Sequence, residues 1–225
     1  MGAISLIFAP HPDDETFGCG GLIASRTASG QVVYVTYITD GAASHPGHPE
    51  ITPARLASIR AHEAQSAAAV LGVPSANLIF LNVPDGQLPH LSTEVRADLV
   101  HRVRQLIERI QPAEIFITAA ADGSTEHTAA NRVVRDALIS LAAPQPRVVE
   151  YPVWSRWNPL LLRKAIQGVQ KIYIHALTPA ELARKRTAMG AHRSQVEPLP
   201  PWPQPVLSAE FVAFFDNRIE FFFEA

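Results

Sequence analysis

The chain has 225 residues, of which 47% are hydrophobic and 18% charged, and its formal net charge is −2. This length suits a single domain over residues 1–225 with a substantial core, and the composition is that of an ordinary globular protein. The charge balance gives no basic surface that would indicate a nucleic-acid partner. The single cysteine, Cys19, excludes an internal disulfide and a cysteine-rich zinc site, and we expect it to be a buried core residue.

No apolar run in the sequence approaches the ~20 residues that a membrane-spanning helix needs. The first predicted strand begins at about residue 4, which leaves no room for a signal peptide. We therefore expect a cytoplasmic protein without a membrane span. The sequence has no signature of oligomeric state, and a homo-oligomer stays open.

Apolar, β-branched runs alternate with helical patterns along most of the chain. The predicted strands are residues 4–8, 32–39, 77–81, 114–118, 147–153 and 171–175. The predicted helices are a segment of small residues ended by Gly30, residues 53–71, 92–110 and 179–191, and a segment after His127. The first strand–helix–strand unit predicts a right-handed parallel crossover. The fold class we expect is α/β, a Rossmann-like three-layer sandwich with a mostly parallel central sheet.

Three later segments have less regular patterns. Trp154 and Trp157 mark a loop that either walls a pocket or packs on the core. Residues 197–205 contain five prolines and are expected to form an extended surface segment. The aromatic tail at 210–224 is expected to pack back on the domain as strand-like structure.

Acidic and imidazole side chains follow the first strand directly, at His11, Asp13, Asp14 and Glu15. Such groups are costly to place against a core strand unless they have partners. Imidazole and carboxylate are zinc ligands, and a carboxylate beside a metal can act as a base. The motif therefore predicts that His11 and one aspartate bind a metal and that the other aspartate is the base. The alternative is a surface turn whose acids begin a helix.

A second imidazole, His127, lies near the start of a helix that follows the fourth predicted strand. In open α/β sheets, ligands bind outside the carboxyl ends of the strands, which is where His11 and Asp14 also lie. This position makes His127 a candidate third ligand, although the residue alone does not decide it. His45 and His48, in the polar loop 42–53, are expected to be solvated or part of a lid rather than ligands.

Five motifs together resemble the PIG-L/LmbE-like zinc N-acetyl-sugar deacetylases over most of the chain. They are His-Pro-Asp-Asp-Glu at 11–15, Ile-Thr-Asp-Gly at 38–41, Arg-Ala-His-Glu at 60–63, Pro-Asp-Gly at 84–86 and Glu-His-Thr-Ala-Ala-Asn at 126–131. The first motif is specific, and each of the others is weak alone.

The resemblance implies a Zn²⁺ site, a general base and two residues that hold the sugar or its leaving product. The implied zinc ligands are His11, Asp14 and His127, and the implied base is Asp13. The residues that hold the sugar or its leaving product are Arg60 and Asp85. It also implies a small-molecule substrate, an N-acetylglucosamine-type glycoside or conjugate. The expected reaction hydrolyses the acetamide to acetate and the free amine.

The chain departs from the family pattern at one position. The family usually has His-Pro-Asp-His at the last motif, where the first histidine stabilises the oxyanion or protonates the amine. Here Ser124 takes that place, and it is predicted to cap the following helix. His192 is a candidate replacement by side-chain type, and a surface position for it is the alternative.

Arg60 also has an alternative to the implied role in the pocket. It lies three residues before Glu63, with which it could form a surface ion pair.

Two other functions stay open at this point. A dinucleotide-binding oxidoreductase is suggested by Gly18, Gly20 and Gly21 with Asp40 at the end of the second strand. Against it, the glycines do not complete G-x-G-x-x-G, and the acids at 13–15 would repel a pyrophosphate. A non-catalytic sugar-binding protein on the same fold is the other possibility, because the helper histidine is missing.

Overall fold

The computed structural model describes residues 3–139, 141 and 144–224. Seven strands in these ranges form one sheet in the order β3-β2-β1-β4-β5-β7-β6. Their bounds are β1 Ile4–Ala9, β2 Val32–Thr39, β3 Leu78–Val83, β4 Glu114–Thr118, β5 Arg147–Tyr151, β6 Lys171–Ala176 and β7 Ile219–Glu224. Strands β1 to β5 are mutually parallel, and β7 runs antiparallel to both of its neighbours.

Helices connect most of the strands. Their bounds are α1 Asp14–Ala28, α2 Pro53–Leu71, α3 Thr93–Ile110, α4 Thr125–Ile139, α5 Trp154–Trp157, α6 Pro159–Ala165, α7 Pro179–Ala191, α8 Arg193–Val196 and α9 Ala209–Phe215. Short 3₁₀ turns lie at Ser75–Asn77 and Leu88–His90. In the described part of the chain, no helix is both long enough and apolar enough to cross a bilayer.

The sheet lies between two apolar layers, as expected for a three-layer α/β sandwich. Side chains alternate along β1, so that Ile7 packs with α1, α2 and α7 on one face, and Leu6 and Phe8 pack with α3 and α4 on the other. The predicted fold class and the parallel β1–α1–β2 unit are therefore confirmed.

Small residues let helix α1 lie close against the sheet. A methyl group at Gly18 would come within 2.3 Å of the Tyr151 ring, and one at Gly21 would come within 2.2 Å of Leu177. Cys19, between them, is fully buried, which confirms that it is a core residue. Gly18 and Gly21 therefore serve close packing of α1 on its neighbours.

A buried ion pair joins α1 to the last strand. Lys185 Nζ lies 2.7 Å from Glu220 Oε1 and donates to the Phe17 carbonyl at 2.9 Å. Glu220 also accepts from the backbone N–H groups of Gly21 and Leu22, each at 2.8 Å. Both charged side chains are fully buried, so the pair fixes α1 relative to β7 and α7.

One expectation for the later segments was wrong, and another was correct only in part. The stretch after Trp154 is not a loop but the short helices α5 and α6, and Asn158 caps the second of them. The aromatic tail is strand-like only in β7, because Ser208 begins helix α9, which buries Phe211 and Phe215.

Candidate metal centre and active site

Three of the predicted site residues meet at the carboxyl ends of the neighbouring strands β1 and β4. His11 follows β1, Asp14 begins α1, and His127 lies in the first turn of α4. The two imidazole rings are 5.5 Å apart between centroids. Asp14 Oδ2 lies 3.2 Å from His11 Nδ1 and 3.3 Å from His127 Nε2. One possible ligand atom from each residue lies within 4.8 Å of the others, which is close enough to share a metal ion.

The His127 imidazole is arranged as a metal ligand. Its Nδ1 lies 2.7 Å from Asp122 Oδ2, and a hydrogen bond donated there leaves the Nε2 lone pair facing Asp14. His127 Nε2 is buried and has no hydrogen-bond partner among the described residues. A buried nitrogen without a partner is costly, and a carboxylate behind a histidine is typical of metal sites. The donor set therefore fits a divalent cation.

The His11 imidazole has an equivalent arrangement. Its Nε2 lies 2.6 Å from Glu126 Oε2, so donation from Nε2 leaves Nδ1 on the side of Asp14. The other oxygen of Glu126 accepts from the backbone N–H groups of Gly86 and Leu88. Sequence reasoning missed both supporting acids, Asp122 and Glu126. For Asp122 the available signal was its position five residues before His127, whereas Glu126 supports His11, which lies 115 residues away in the chain.

A second group of possible ligands is His11, Asp85 and Glu126. His11 Nε2 lies 3.2 Å from Asp85 Oδ1, but the other oxygen of Asp85 accepts from the Ala43 N–H at 2.9 Å. Both acids of this group already accept hydrogen bonds from backbone N–H groups. Their carboxylates are therefore partly satisfied without a metal ion. The group with His127 leaves a buried nitrogen unpaired without one, so it is the better candidate.

The charges at the site favour a bound cation. Burial alone would lower the pKa of His127, but the charge of Asp14 and the hydrogen bond to Asp122 outweigh it and raise that pKa to about 9. Burial would raise the pKa of Asp14, but the histidines hold it well below its usual range. The Asp14 carboxylate thus stays ionised and stabilises positive charge beside the two histidines.

Asp13 lies beside this group and is held by Arg60. Arg60 Nη2 donates to Asp13 Oδ2 at 2.9 Å and to the Pro12 carbonyl at 3.1 Å, while Nη1 donates to the Gly41 carbonyl at 2.9 Å. Burial raises the pKa of Asp13 and Arg60 lowers it, and the resulting pKa is about 6. The alternative surface ion pair of Arg60 with Glu63 is wrong, because Arg60 is buried under the turn and Glu63 accepts from Ser194.

A cleft of about 340 Å³ lies beside His11, Asp13, Asp14 and Arg60, which line it. Its polar side includes Asp13, Asp14, Ser44, Arg60, Asp85 and Gln195, and its apolar side includes Phe17, Val153, Trp154, Leu207 and Phe211. Trp154 both lines this cleft and packs on Phe211, with 5.1 Å between ring centroids. The cleft therefore offers hydrogen-bonding groups on one side and an apolar wall on the other.

Residues 6–138 match the family described as PIG-L: GlcNAc-PI de-N-acetylase, which is more than half of the chain. The chain belongs to this family. The predicted family is thus confirmed, and with it an N-deacetylase, a hydrolase of amide bonds. A relative from Bacillus cereus, named a probable N-acetyl-alpha-D-glucosaminyl L-malate deacetylase 2, is 26% identical over 199 residues, which are 85% of this chain and 83% of the relative.

Solved structures share the fold of this family member. The teicoplanin deacetylase Orf2, in a zinc-inhibited form, has a TM-score of 0.72 at 18% identity and covers 98% of this chain and 97% of its own. GalB, a 4-carboxy-2-hydroxymuconate hydratase from Pseudomonas putida, has a TM-score of 0.69 at 17% identity, covering 96% and 83%. The fold thus carries more than one reaction, and the family match decides between them. No comparison supports the oxidoreductase or the non-catalytic alternative.

The position of the family's helper histidine holds a side chain without acid–base capacity. Ser124 lines the cleft, and its Oγ accepts from the His127 N–H at 3.4 Å, in keeping with the predicted cap. A surface position for His192 is wrong, because His192 is fully buried with Nε2 3.1 Å from Thr16 Oγ1. Burial lowers the pKa of His192 to about 3, and His192 does not line the cleft, so it is a poor substitute for the helper.

His45 and His48 are buried, so the expected solvated positions were wrong. His48 Nε2 donates to the Pro200 carbonyl at 2.9 Å, and its Nδ1 accepts from the backbone N–H groups of residues 50 and 51. Trp202, from the proline-rich segment, packs on both rings. The segment is mostly exposed, as expected for a surface segment, and it covers the loop through Trp202.

Proposed function

We propose that the protein is a zinc-dependent deacetylase of an N-acetylglucosamine-type glycoside or conjugate, giving acetate and a free amino sugar. The observation that supports it most is the grouping of His11, Asp14 and His127 beside Asp13, a carboxylate outside that group. Of these residues, His11, Asp13 and Asp14 line the cleft, and His127 is buried behind it. Metal ligands next to an unbound acid are what amide hydrolysis requires.

His11, Asp14 and His127 are the proposed metal ligands. Two nitrogens and one carboxylate oxygen are a donor set that suits Zn²⁺ and leaves a coordination position open. When bound, the ion supplies a Lewis acid and a water of lowered pKa. Asp122 and Glu126 orient the two imidazoles from behind.

Asp13 is the proposed general base. Arg60 occupies Asp13 Oδ2, which leaves Oδ1 to take a proton from the attacking water. A carboxyl whose pKa is about 6 is ionised at neutral pH and still basic enough to accept that proton. The same carboxyl then returns the proton to the departing amine, because Ser124 offers no second acid.

Arg60 is proposed as a positioning residue for Asp13. Its two terminal nitrogens already donate to Asp13 and to carbonyls, so they are committed before a substrate enters. Asp85 lines the cleft with Oδ2 held by Ala43. Its remaining acceptor capacity suits a sugar hydroxyl.

The test is a panel of N-acetylated glycosides assayed for acetate release by zinc-loaded and chelator-treated protein. We expect release only with metal, and restoration of activity by added Zn²⁺. Asp13→Asn should retain the metal and reduce kcat by roughly a hundredfold or more, the usual scale for an acid–base residue. Asp98→Asn, at an exposed acid on α3, is the matched control and should have normal activity.

Each part of the proposal can fail separately. Unchanged activity after chelation would reject the metal. Near-normal turnover by Asp13→Asn would reject the base, and no acetate release from any glycoside would reject the deacetylase.

A further inference from the structure

A second cavity, of about 600 Å³, adjoins the catalytic cleft. Gly123 and Ser124 line both spaces, so they form the boundary between them. Both residues are small, and Gly123 has a φ of +87°. A methyl group on Gly123 would come within 2.4 Å of the Leu161 side chain. The two cavities therefore meet at these two residues.

The second cavity is basic, in contrast to the acidic cleft. Arg96 of α3, Arg132 of α4 and Lys164 of α6 line it, and no Asp or Glu is among the described residues that do so. Arg96 is paired with Asp136, whereas no described carboxylate lies within 4.0 Å of the charged nitrogens of Arg132 or Lys164. The formal net charge of the whole chain is −2, so this local excess of positive charge is not a general property of its surface.

The polar groups of the second cavity follow one side of α4. Thr125, Thr128 and Arg132 recur at helical spacing and all line the cavity. At 1.5 Å per residue, Arg132 lies about 10 Å along the helix axis from the turn that contains Ser124 and His127. An anion held by Arg132 thus sits several bonds away from an amide at the metal centre.

We propose that the second cavity, bounded by Arg96, Arg132 and Lys164, is a subsite for a carboxylate or phosphate on the aglycone of the substrate. The inference rests on the proposed deacetylase function and narrows its substrate class to glycosides with an anionic aglycone. Arg132 and Lys164 supply the charge, and the hydroxyl of Thr125 adds a donor to the same anion, whereas the Thr128 hydroxyl already donates to the Ala120 carbonyl at 3.1 Å.

The experiment compares matched N-acetylglucosaminides whose aglycones end in a carboxylate, a phosphate or a neutral amide. For the charged aglycones, Arg132→Gln and Lys164→Gln should each raise KM about tenfold and leave kcat nearly unchanged, whereas the neutral glycoside should be unaffected. Added salt should reproduce the loss in the wild type, since the cavity is open to solvent. The carboxylate and phosphate arms show which anion the cavity prefers.

Arg163→Gln is the matched control. Arg163 is exposed, next to Lys164 on α6, but does not line the cavity, and its loss should leave all three KM values unchanged. Equal effects of Lys164→Gln on charged and neutral glycosides would overturn the subsite. The same charge-selective effect from Arg163→Gln would also overturn it, because the attraction would then be a general surface property.

A binding measurement separates this inference from the proposed reaction. Calorimetry with the amine products, which need no turnover, should show about tenfold tighter binding of the charged product than of the neutral one, and the preference should disappear in Arg132→Gln. No acetate release together with this preference would reject the deacetylase and retain the subsite. Equal affinity for both products would reject the subsite.

Discussion

The carboxylate of Asp122 lies 2.7 Å from Nδ1 of His127 and fixes which imidazole nitrogen faces Asp14. The same carboxylate accepts from the backbone N–H groups of Val153, Trp154 and Ser155. One buried acid therefore orients the proposed ligand and holds the apolar wall of the cleft in place.

The first prediction concerns Asp122→Asn. An amide in place of the carboxylate weakens the hydrogen bond that orients His127, and we expect metal affinity to fall by roughly 10–100-fold. Competition with a chelator of known affinity measures the change. Asp136→Asn is the control, because Asp136 pairs with Arg96 away from the cleft. An Asp122→Asn protein that binds metal as tightly as the wild type would contradict this role.

The second prediction concerns the pH dependence of catalysis. Arg60 lowers the pKa of Asp13, so Arg60→Gln should raise that pKa. Because the proposed base must be ionised, the acid limb of the kcat/KM profile should move to higher pH. Arg186→Gln, which removes an exposed arginine paired with Asp216, should leave the profile in place. The prediction fails if the acid limb of Arg60→Gln coincides with that of the wild type.

The third prediction concerns stability and rests on Glu15. Burial, with a smaller contribution from Asp13, raises the pKa of Glu15 to about 8, although Thr16 and Tyr37 donate to its carboxyl group. Between the unfolded value of 4.5 and the folded value near 8, the native state binds the extra proton. The stabilisation from this proton is therefore complete below pH 4.5 and is lost as the pH rises through 8.

Glu15→Gln removes this titration and should flatten the pH dependence. The stability of the wild type relative to the variant should fall with rising pH by up to about 1.4 kcal/mol per pH unit across that window. Urea unfolding of chelator-treated proteins at mildly acidic and mildly alkaline pH measures it. Parallel stability curves for the two proteins would show that Glu15 does not titrate in this range.

The fourth prediction concerns the buried pair of Lys185 and Glu220. Lys185→Met should reduce the free energy of unfolding by about 3–5 kcal/mol, because it leaves the Glu220 carboxylate buried without its cation. Arg186→Met, at the next residue, removes an exposed partner of Asp216 and should cost at most about 1 kcal/mol. The double variant Lys185→Met/Glu220→Gln should recover part of the loss. Similar costs for the two single variants would contradict the prediction.

The sequence was sufficient to predict the elements whose pattern is local. Five elements begin and end within about a residue of their predicted bounds: β1, β2, β4, α2 and α7. The apolar pattern and the residues that end each element lie within one continuous stretch of sequence. The tail was misjudged since its aromatic residues favour a strand equally throughout. Only packing of Phe211 and Phe215 on the core makes its first part a helix.

The residues of the candidate site also differ in whether the sequence could predict them. His11, Asp13 and Asp14 could be proposed because they share one unusual motif. The structure places them and His127 at the carboxyl ends of the neighbouring strands β1 and β4. Their roles stay predictions. The burial of Arg60 could not be deduced, because its neighbours Pro12 and Gly41 belong to other segments of the chain. The covering of His48 by residues about 150 positions later is non-local for the same reason.

Strand β7 has a consequence for how the molecule is made. Glu220 reaches backbone groups of α1 that lie 199 and 198 positions earlier, and β7 occupies the place between β5 and β6. During synthesis the ribosome releases the helix that begins with Asp14 long before the carboxylate that anchors it. The helix that follows the turn with His11 and Asp14 is thus anchored only once β7 has been made.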